Sequence, residues 1–451
     1  MSAAQPRVRS KLPPTLDCHG RTFALTGGGG YFGRRLCSLL LRNGASAVHL
    51  FDMRIVLPTD LTPDQLARIK TFEGDIRDSV LTESCFRGVD VVFHIASYGM
   101  SGKEQLQHKL IYAVNVLGTE SVLQAAKRCK VKALVYTSTT NVIFCGKPII
   151  NGDETLPYCD LALHTDNYSR TKSIAEKRVL EVNGSPFEES SAVSSEKKPA
   201  ARRTAAAAST SDEAQPAVLK TCALRAAGIY GENEERHFPR IVGIYQGRPV
   251  QHDVRSPTNR VEFVYVDNLA EAHILAANSL LAPPGFDLAA GQAYFISDGE
   301  PVNNFEFMRP LVEGLGYKYP TLVLPYTLVF YMAMVIEWTH YVVGRFYNFQ
   351  PLLTRTEVNK TGVTHFFSID KARHHLAYVP RVTPKEGMRR LVASFVEKEE
   401  RERRALLRNG APAGSFSVFA GVTFAAVFLI LVLQYVMVVR PEMDRLQESS
   451  R

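Results

Sequence analysis

Short apolar runs alternate with segments of helical periodicity along the first half of the chain. The runs are bounded by turn residues and rich in β-branched and aromatic side chains, so they predict strands. They occupy residues 21–27, 48–52, 71–75, 89–97, 132–139 and 218–225. Because near-continuous apolar strands alternate with helices, the pattern predicts a parallel sheet covered by helices on both faces, a doubly wound α/β fold.

The first predicted strand leads into a glycine turn. Gly27, Gly30 and Gly33 follow G-x-x-G-x-x-G spacing, a helical pattern comes next, and the second strand ends at Asp52. This order is typical of a Rossmann-like dinucleotide-binding unit, because glycines let the backbone approach a pyrophosphate at a helix N-terminus. Asp52 is placed to accept hydrogen bonds from a ribose and would repel a 2′-phosphate. The pattern therefore predicts NAD as the cofactor, although Arg54 nearby could tolerate NADP.

Four further residues are predicted cofactor contacts. Tyr31 and Phe32 lie inside the glycine turn, before its last glycine. Asp75 and Ile76 fall where a third strand could reach the adenine ring. Asp75 could equally be a turn acid, and the sequence leaves both roles open.

Two segments carry candidate chemistry. The fifth strand runs into a hydroxyl-rich segment, residues 137–140, and Tyr168 and Lys172 stand four apart at the start of a helical pattern. Residues four apart share a helix face, so the lysine can stabilise the phenolate and lower the pKa of the tyrosine. A neighbouring hydroxyl can then hold the substrate oxygen. Alone the Y-x-x-x-K pattern is common by chance, but after a dinucleotide fold it predicts oxidation of an alcohol.

The segments TGGGGYFG, YTSTTNVIF, YSRTK, LRAAGIYG and VEFVYVDNLAEAH resemble the extended short-chain dehydrogenase/reductases. Within these they resemble the 3β-hydroxysteroid dehydrogenase/isomerase family, and most closely family 42E, over about residues 20–395. The resemblance implies Tyr168 and Lys172 as the catalytic pair, with Lys172 also contacting NAD. It places the active-site hydroxyl on Thr139 and a residue that orders a relay water at Asn115. It further implies a smaller, mostly helical substrate lobe and a steroid substrate.

The chain has a composition break and a long uncharged stretch. Residues 182–217 are rich in Ser, Ala, Pro and mixed charges, which predicts a disordered surface insertion. Residues 416–439 carry no charge and as a helix would cover about 36 Å, enough to cross a membrane. The larger basic count lies before this stretch and predicts a C-terminal anchor, in the endoplasmic reticulum, with the body facing the cytosol. The apolar residues 322–346 favour a substrate lid or a patch on the bilayer, with a second membrane span as the alternative.

The net charge and the cysteine pattern limit which partners and metals the chain is expected to bind. A net charge of +8 invites an anionic partner, but no recognition helix or stacking module accompanies it, so nucleic acid is excluded and a bilayer-facing bias is favoured. Seven cysteines without a C-x-x-C pair predict no structural metal and a reducing compartment. The sequence leaves a homodimer open.

These features predict four regions: a first part of the NAD-binding domain (20–181), the insertion (182–217), the end of the sheet with the substrate lobe (218–395) and a transmembrane helix (416–439). The leading functional hypothesis is NAD-dependent oxidation of a 3β-hydroxyl on a steroid or sterol. A nucleotide-sugar epimerase or dehydratase uses the same fold and Tyr–Lys pair and is one alternative. The other is a membrane-tethered NAD-binding scaffold or sensor with little turnover, because Thr139, Ala226 and Glu232 depart from the family pattern.

Overall fold

The structure is a computed structural model that describes most of the chain. The described residues are 16–100, 102–187, 217–247, 252–253, 259–283, 285–319, 322–323, 325–343 and 354–409. Contacts between Cα atoms divide the chain into one unit, Met1–Val396, and a second, Glu397–Arg451. The described part of the second unit is helical and carries exposed Arg–Glu pairs one turn apart, Arg401 with Glu397 and Arg404 with Glu400.

Strands and helices alternate along the first unit. The strands are β1 Thr22–Thr26, β2 Ala47–Asp52, β3 Ile69–Glu73, β4 Val91–His94, β5 Ala133–Thr139, β6 Ile149–Gly152, β7 Ser185–Pro186, β8 Val218–Ala226, β9 Gly228–Tyr230, β10 His252–Asp253, β11 Phe263–Tyr265, β12 Ala293–Ile296, β13 Leu322–Val323 and β14 His365–Phe367. The helices are α1 Tyr31–Arg42, α2 Pro63–Leu66, α3 Ser79–Phe86, α4 His108–Tyr112, α5 Thr119–Arg128, α6 Asn167–Glu181, α7 Phe238–Gly247, α8 Val266–Leu280, α9 Asn304–Gly314, α10 Tyr326–Val343, α11 Arg355–Gly362, α12 Asp370–Leu376 and α13 Pro384–Asn409. A π-helical turn, Ala113–Gly118, joins α4 to α5.

One parallel sheet organises the first unit. Its order is β12-β8-β5-β4-β1-β2-β3, and the short β7 adds an antiparallel pair to β8. The chain runs outward from β1 in one direction through β2 and β3, and in the other through β4, β5, β8 and β12. The crevice between the carboxyl ends of β1 and β4 is therefore the switch point, where open α/β sheets bind ligands. The strand positions confirm the predicted Rossmann-like sheet.

Helices cover both faces of this sheet, as its apolar strands require. One core cluster includes α1 and α8, and the other includes α3, α5 and α6. β5 is buried at all seven positions, so it can contact helices on both sides. The carboxyl end of β5 is therefore buried, and the strand contacts α6.

Smaller elements follow or interrupt the main sheet. Three separate parallel pairs form between β6 and β14, β9 and β11, and β10 and β13. Helix α10 contacts α11 through a small cluster of Val329, Ala333 and Val358, while Tyr331 and Trp338 are exposed. The predicted segment 322–346 thus contains a helix with one buried side and exposed aromatic residues.

The described part of 182–217 is a turn and a strand. Residues 182–187 include β7, whose Ser185 and Pro186 pair with Leu219 and Val218 of β8. Residues 188–216 of the predicted insertion lie outside the described residues. The sheet therefore begins its pairing inside the stretch that sequence composition assigned to the insertion.

The predicted membrane location is corrected by the structure. Across the described ranges, no helix combines the length and the apolar character that a membrane span requires, and this includes α10. The predicted span itself, residues 416–439, lies outside those ranges. A single-pass anchor in the endoplasmic reticulum is therefore not retained.

Candidate active site

The glycine turn lies between the end of β1 and α1. Its Gly27 and Gly28 amides donate to the Phe51 carbonyl at the end of β2, at 2.8 and 3.2 Å. A Cβ on Gly29 would come within 2.2 Å of the Arg54 carbonyl, and one on Gly33 within 2.3 Å of the Gly27 carbonyl. Gly27 also adopts a φ of +74°. Glycine is therefore required for this close backbone approach, which is the geometry that a dinucleotide pyrophosphate needs.

The start of α1 has free capacity for an anion. Its N-cap residue, Gly30, offers no side-chain cap to the first-turn amides. The hydroxyl of Tyr31 is buried and makes no hydrogen bond within the described part of the chain. Phe32 instead faces the core, where its ring lies 4.8 Å from that of His273. The turn, the uncapped helix and the Tyr31 hydroxyl together fit NAD, whereas Phe32 lies among core side chains.

Asp52 ends β2 beside this turn. One carboxylate oxygen accepts from the Gly29 amide at 3.1 Å and the other from the Arg54 amide at 3.4 Å. The side chain is only half-buried, so its remaining lone pairs can accept from a ribose. Asp52 therefore supports the glycine turn and can also contact the cofactor.

Asp75 and Ile76 follow β3. The Asp75 carboxylate accepts from the Arg77 amide at 2.9 Å and pairs with the Arg77 guanidinium at 2.5 Å, which holds the pKa of Asp75 below its usual value. Ile76 is buried, and a Cβ on Gly118 would lie 2.7 Å from its side chain. In the structure Asp75 thus takes part in a turn, and Ile76 packs against the helix that follows β4.

Helix α6 carries the Tyr–Lys pair. Asp166 caps its N-terminus by accepting from the Ser169 amide at 2.7 Å, and Lys360 of α11 pairs with the same carboxylate at 2.9 Å. Burial alone would raise the pKa of Asp166, but the Lys360 charge and the Ser169 hydrogen bonds keep it below its usual value. Tyr168 and Lys172 are 7% and 1% exposed and lie one turn apart.

Lys172 reaches the end of β5. Its Nζ donates to the Thr137 carbonyl at 2.5 Å and lies 4.1 Å from the centre of the Tyr136 ring. Burial lowers the pKa of Lys172 to about 7, against the opposing charge of Glu176. An amine with that pKa can gain or lose a proton near neutral pH.

Tyr168 is held in its neutral form. The pKa of Tyr168 is raised to about 12, chiefly by burial and further by the charge of Asp166. Ser97 and the charge of Arg236 act in the opposite direction and lower this pKa. A phenol in this environment is protonated at neutral pH and can donate a proton to a carbonyl oxygen. Accepting a proton from an alcohol requires groups that stabilise the phenolate.

The three hydroxyl residues at the carboxyl end of β5 have different partners. Thr137 contacts the His273 ring nitrogen at 2.7 Å, and Ser138 donates to Glu176. Thr139 accepts from the side-chain amide of Asn141 at 2.9 Å, which leaves its own proton free to donate. Of the three, Thr139 is the residue whose hydroxyl can hold a substrate oxygen.

Asn115 lies in the π-helical turn between α4 and α5. Its carboxamide accepts from the Tyr98 amide at 2.8 Å and donates to the Tyr98 carbonyl and to Thr171, each at 3.0 Å. All of these partners are protein groups on the loop after β4 and on α6. The structure therefore places the Asn115 side chain as a link between that loop and the helix of Tyr168.

Two features were absent from the sequence predictions. Ser97, which contacts Tyr168, follows the apolar run of β4, and a hydroxyl at the carboxyl end of a parallel strand was its only signal. Glu176 is fully buried one turn after Lys172 and pairs with Arg225 of β8 at 2.8 Å. It also accepts from the Tyr158 hydroxyl at 2.8 Å. The Y-x-x-x-K-x-x-x-E spacing was visible, but its partner on β8 was not.

A glycine turn at the switch point of a parallel sheet, beside a buried Tyr–Lys pair, defines an NAD-dependent oxidoreductase of the short-chain dehydrogenase/reductase class. Comparison with known proteins agrees with this class. The model of the 3-beta hydroxysteroid dehydrogenase/isomerase family matches residues 24–195 and 190–326. The chain belongs to that family.

Named relatives extend the match over most of the chain. Short-chain dehydrogenase/reductase family 42E member 1 of Danio rerio is 48% identical over 90% of this chain and 96% of its own length. The human protein of the same name is 52% identical over 78% of this chain and 82% of its own. An Arabidopsis thaliana 3beta-hydroxysteroid-dehydrogenase/decarboxylase, isoform 1, is 31% identical over 83% of this chain and 80% of its own.

Solved structures share the fold at low identity. UDP-glucose 4-epimerase of Thermotoga maritima, with UDP-glucose, has a TM-score of 0.56 and 18% identity, covering 84% of this chain and 99% of that one. A dTDP-glucose 4,6-dehydratase of Streptomyces venezuelae, with NAD bound, has a TM-score of 0.56 and 19% identity, covering 84% and 98%.

Proposed function

We propose that this protein oxidises the 3β-hydroxyl of a steroid or sterol with NAD. The observation that carries the proposal is the burial of Tyr168 and Lys172 on one face of α6, beside the carboxyl end of β5. A buried acid–base group with a cation one turn away is the arrangement that transfers a proton to or from an alcohol oxygen.

In the proposed reaction each side chain has one task. Tyr168 accepts the proton of the substrate hydroxyl, and Thr139 donates a hydrogen bond to the same oxygen. Lys172 stabilises the negative charge that develops on Tyr168. NAD, when bound, supplies the acceptor for the hydride that leaves the carbinol carbon. The glycine turn, the start of α1 and Asp52 would hold it.

The substrate class rests on the family and on the name of one relative. The family carries 3-beta hydroxysteroid in its name, and the Arabidopsis relative is named for dehydrogenation and decarboxylation of such compounds. The nucleotide-sugar enzymes share the fold at only 18–19% identity, so their likeness does not indicate a nucleotide-sugar substrate for this protein. A steroid is therefore the favoured substrate.

Tyr168→Phe tests the proposal. Purified protein is given NAD and 3β-hydroxysteroids, and NADH formation is followed by absorbance. We expect turnover by the native protein and a loss of at least about a hundredfold in the variant, because the phenolic oxygen is the proton acceptor. Full activity of Tyr168→Phe would refute the role of the tyrosine.

Tyr112→Phe is the matched control, because Tyr112 is 46% exposed on the short helix α4. We expect it to keep native activity. A parallel assay with nucleotide sugars separates the alternatives, since turnover of these and not of steroids would indicate an epimerase or dehydratase. Binding of NAD without turnover of either class would favour a scaffold or sensor.

A further inference from the structure

Ser97 is a second hydroxyl at the proton-transferring tyrosine. It lies three residues beyond His94, the last paired residue of β4, and its hydroxyl lowers the pKa of the Tyr168 phenol. His94 pairs with Tyr136 of β5, and Thr139 lies three residues beyond that partner. Ser97 and Thr139 therefore lie the same number of residues beyond the last pair that joins β4 to β5, toward the same crevice.

The loop that carries Ser97 is held from both sides. On one side the Ala96 amide donates to the Thr26 carbonyl at the end of β1, at 3.0 Å. On the other, Asn115 contacts both backbone groups of Tyr98 and links them to Thr171 of α6. Thr171 lies one turn after Tyr168. The position of Ser97 relative to the phenol is thus fixed by backbone hydrogen bonds and not by its own side chain alone.

The neighbouring hydroxyls have other partners. Thr137 contacts His273 and Ser138 donates to Glu176, so neither can reach Tyr168 with its proton. Thr139 is oriented by Asn141 and remains available to a substrate oxygen. Ser97 is the neighbouring hydroxyl that lowers the pKa of the Tyr168 phenol.

We propose that Ser97 is a catalytic residue that donates a hydrogen bond to the Tyr168 phenolate while Thr139 donates to the substrate oxygen. The inference deepens the proposed alcohol oxidation and rests on it for the direction of proton transfer. A hydrogen bond to the ionised form favours that form, so Ser97 makes Tyr168 a better proton acceptor.

Other charged and titratable groups also face Tyr168. Lys172 shares its helix, Asp166 caps that helix and is paired with Lys360, Arg236 follows β9, and Tyr136 lies on β5. None of these is changed by a substitution at position 97. A comparison of Ser97 variants therefore isolates the hydroxyl.

The test is the pH dependence of steroid oxidation by Ser97→Ala and Ser97→Thr. For Ser97→Ala we expect kcat/KM about tenfold lower near neutral pH and an acid limb displaced by about one pH unit toward alkaline, with the rate recovering at high pH. Ser97→Thr keeps the hydroxyl and should restore the native profile. An equal loss at every pH, or no loss, would overturn the proposal.

Ser173→Ala is the matched control, because Ser173 is a buried serine of α6 whose hydroxyl makes no hydrogen bond among the described residues. We expect an unchanged pH profile. A second readout needs no turnover: fluorine NMR of fluorotyrosine-labelled protein with NAD, in which Tyr168→Phe assigns the resonance. If no steroid is oxidised, the proposed function fails. The Ser97 inference is judged separately by the NMR titration. It stands if Ser97→Ala raises the pKa of Tyr168, and it fails if that pKa is unchanged.

Discussion

Lys172 is an amine in the interior of the sheet domain. It is 1% exposed, and its partners are the Thr137 carbonyl and the face of the Tyr136 ring, neither of which carries a full negative charge. Glu176, whose charge opposes the effect of burial on Lys172, is itself paired with Arg225. Burial therefore dominates, and the charged form is disfavoured in the folded protein.

This burial makes stability depend on pH. The pKa of Lys172 is about 7 in the folded protein and near 10.4 when unfolded, so the unfolded chain binds the proton between these values. Relative to Lys172→Met, the free energy of unfolding of the native protein should therefore rise from about pH 7 to pH 9, by about 2 kcal/mol. Urea unfolding of both proteins across that range measures it. Lys177→Met, at an exposed lysine of the same helix, should show no such slope.

At the level of single residues, only local patterns were predictable. Tyr168 and Lys172 were found because four-residue spacing defines a helix face without knowledge of the rest of the fold. The contact between Ser97 and Tyr168 joins residues of different elements and depends on the order of the strands. The Asn115 carboxamide likewise has partners on two elements, and no spacing within its own helix indicates them.

At the level of elements, α11 is tied to the catalytic helix. Lys360 pairs with the Asp166 cap of α6 at 2.9 Å, and Thr356 donates to the Thr165 carbonyl at 3.2 Å. The Asp166 side chain is only 9% exposed, so its charge depends on this partner. The ion pair therefore holds the N-terminus of α6, with Tyr168, against a helix from much later in the chain.

Lys360→Met should destabilise the protein by about 1–3 kcal/mol, because it leaves a largely buried carboxylate without its partner. Lys360→Arg keeps the charge and should recover most of this loss. The exposed pair of Arg373 and Asp370 offers a comparison, since Arg373→Met should cost less than about 0.5 kcal/mol. Thermal unfolding distinguishes the two sites, and equal losses at both would contradict the argument.

The strands of the main sheet were largely predictable, and the later elements were not. β1, β2, β4, β5 and β8 lie where apolar runs placed them, because a strand buried on both faces needs an uninterrupted apolar run. β7 is only two residues long, too short for any periodicity to reveal. Its existence depends on pairing with β8, a tertiary contact.

At the level of the whole molecule, the residues on either side of segment 188–216 pair with each other in the sheet. Pro186 pairs with Val218, and the Thr221 amide donates to the side-chain oxygen of Asn183 at 2.9 Å. Antiparallel partners have Cα atoms about 5 Å apart, so a short turn can join them. The residues of α6 and β5 that we propose as catalytic, Tyr168, Lys172 and Thr139, precede this junction in the chain.

Replacing residues 188–216 with a short glycine-rich linker should therefore preserve the site. We expect NAD affinity and steroid oxidation within about twofold of the native protein, because Pro186 and Val218, on either side of the segment, are already paired and a short linker can join them. Calorimetric titration with NAD and the steroid assay measure these quantities. A control deletion that also removes Ser185 and Pro186 should lower the melting temperature, and loss of NAD binding in the first variant would contradict the prediction.

The π-helical turn at Ala113–Gly118 has a consequence for the history of the family. A π turn contains one residue more than an α-helix would, and Asn115, which donates to Thr171 of α6, lies within it. Loss of one residue between His108 and Arg128 would rotate part of the helix by about 100° and turn Asn115 away from Tyr98. In an alignment of related chains, a single gap in this stretch would therefore mark the lineages in which the loop of Ser97 has come loose from the catalytic helix.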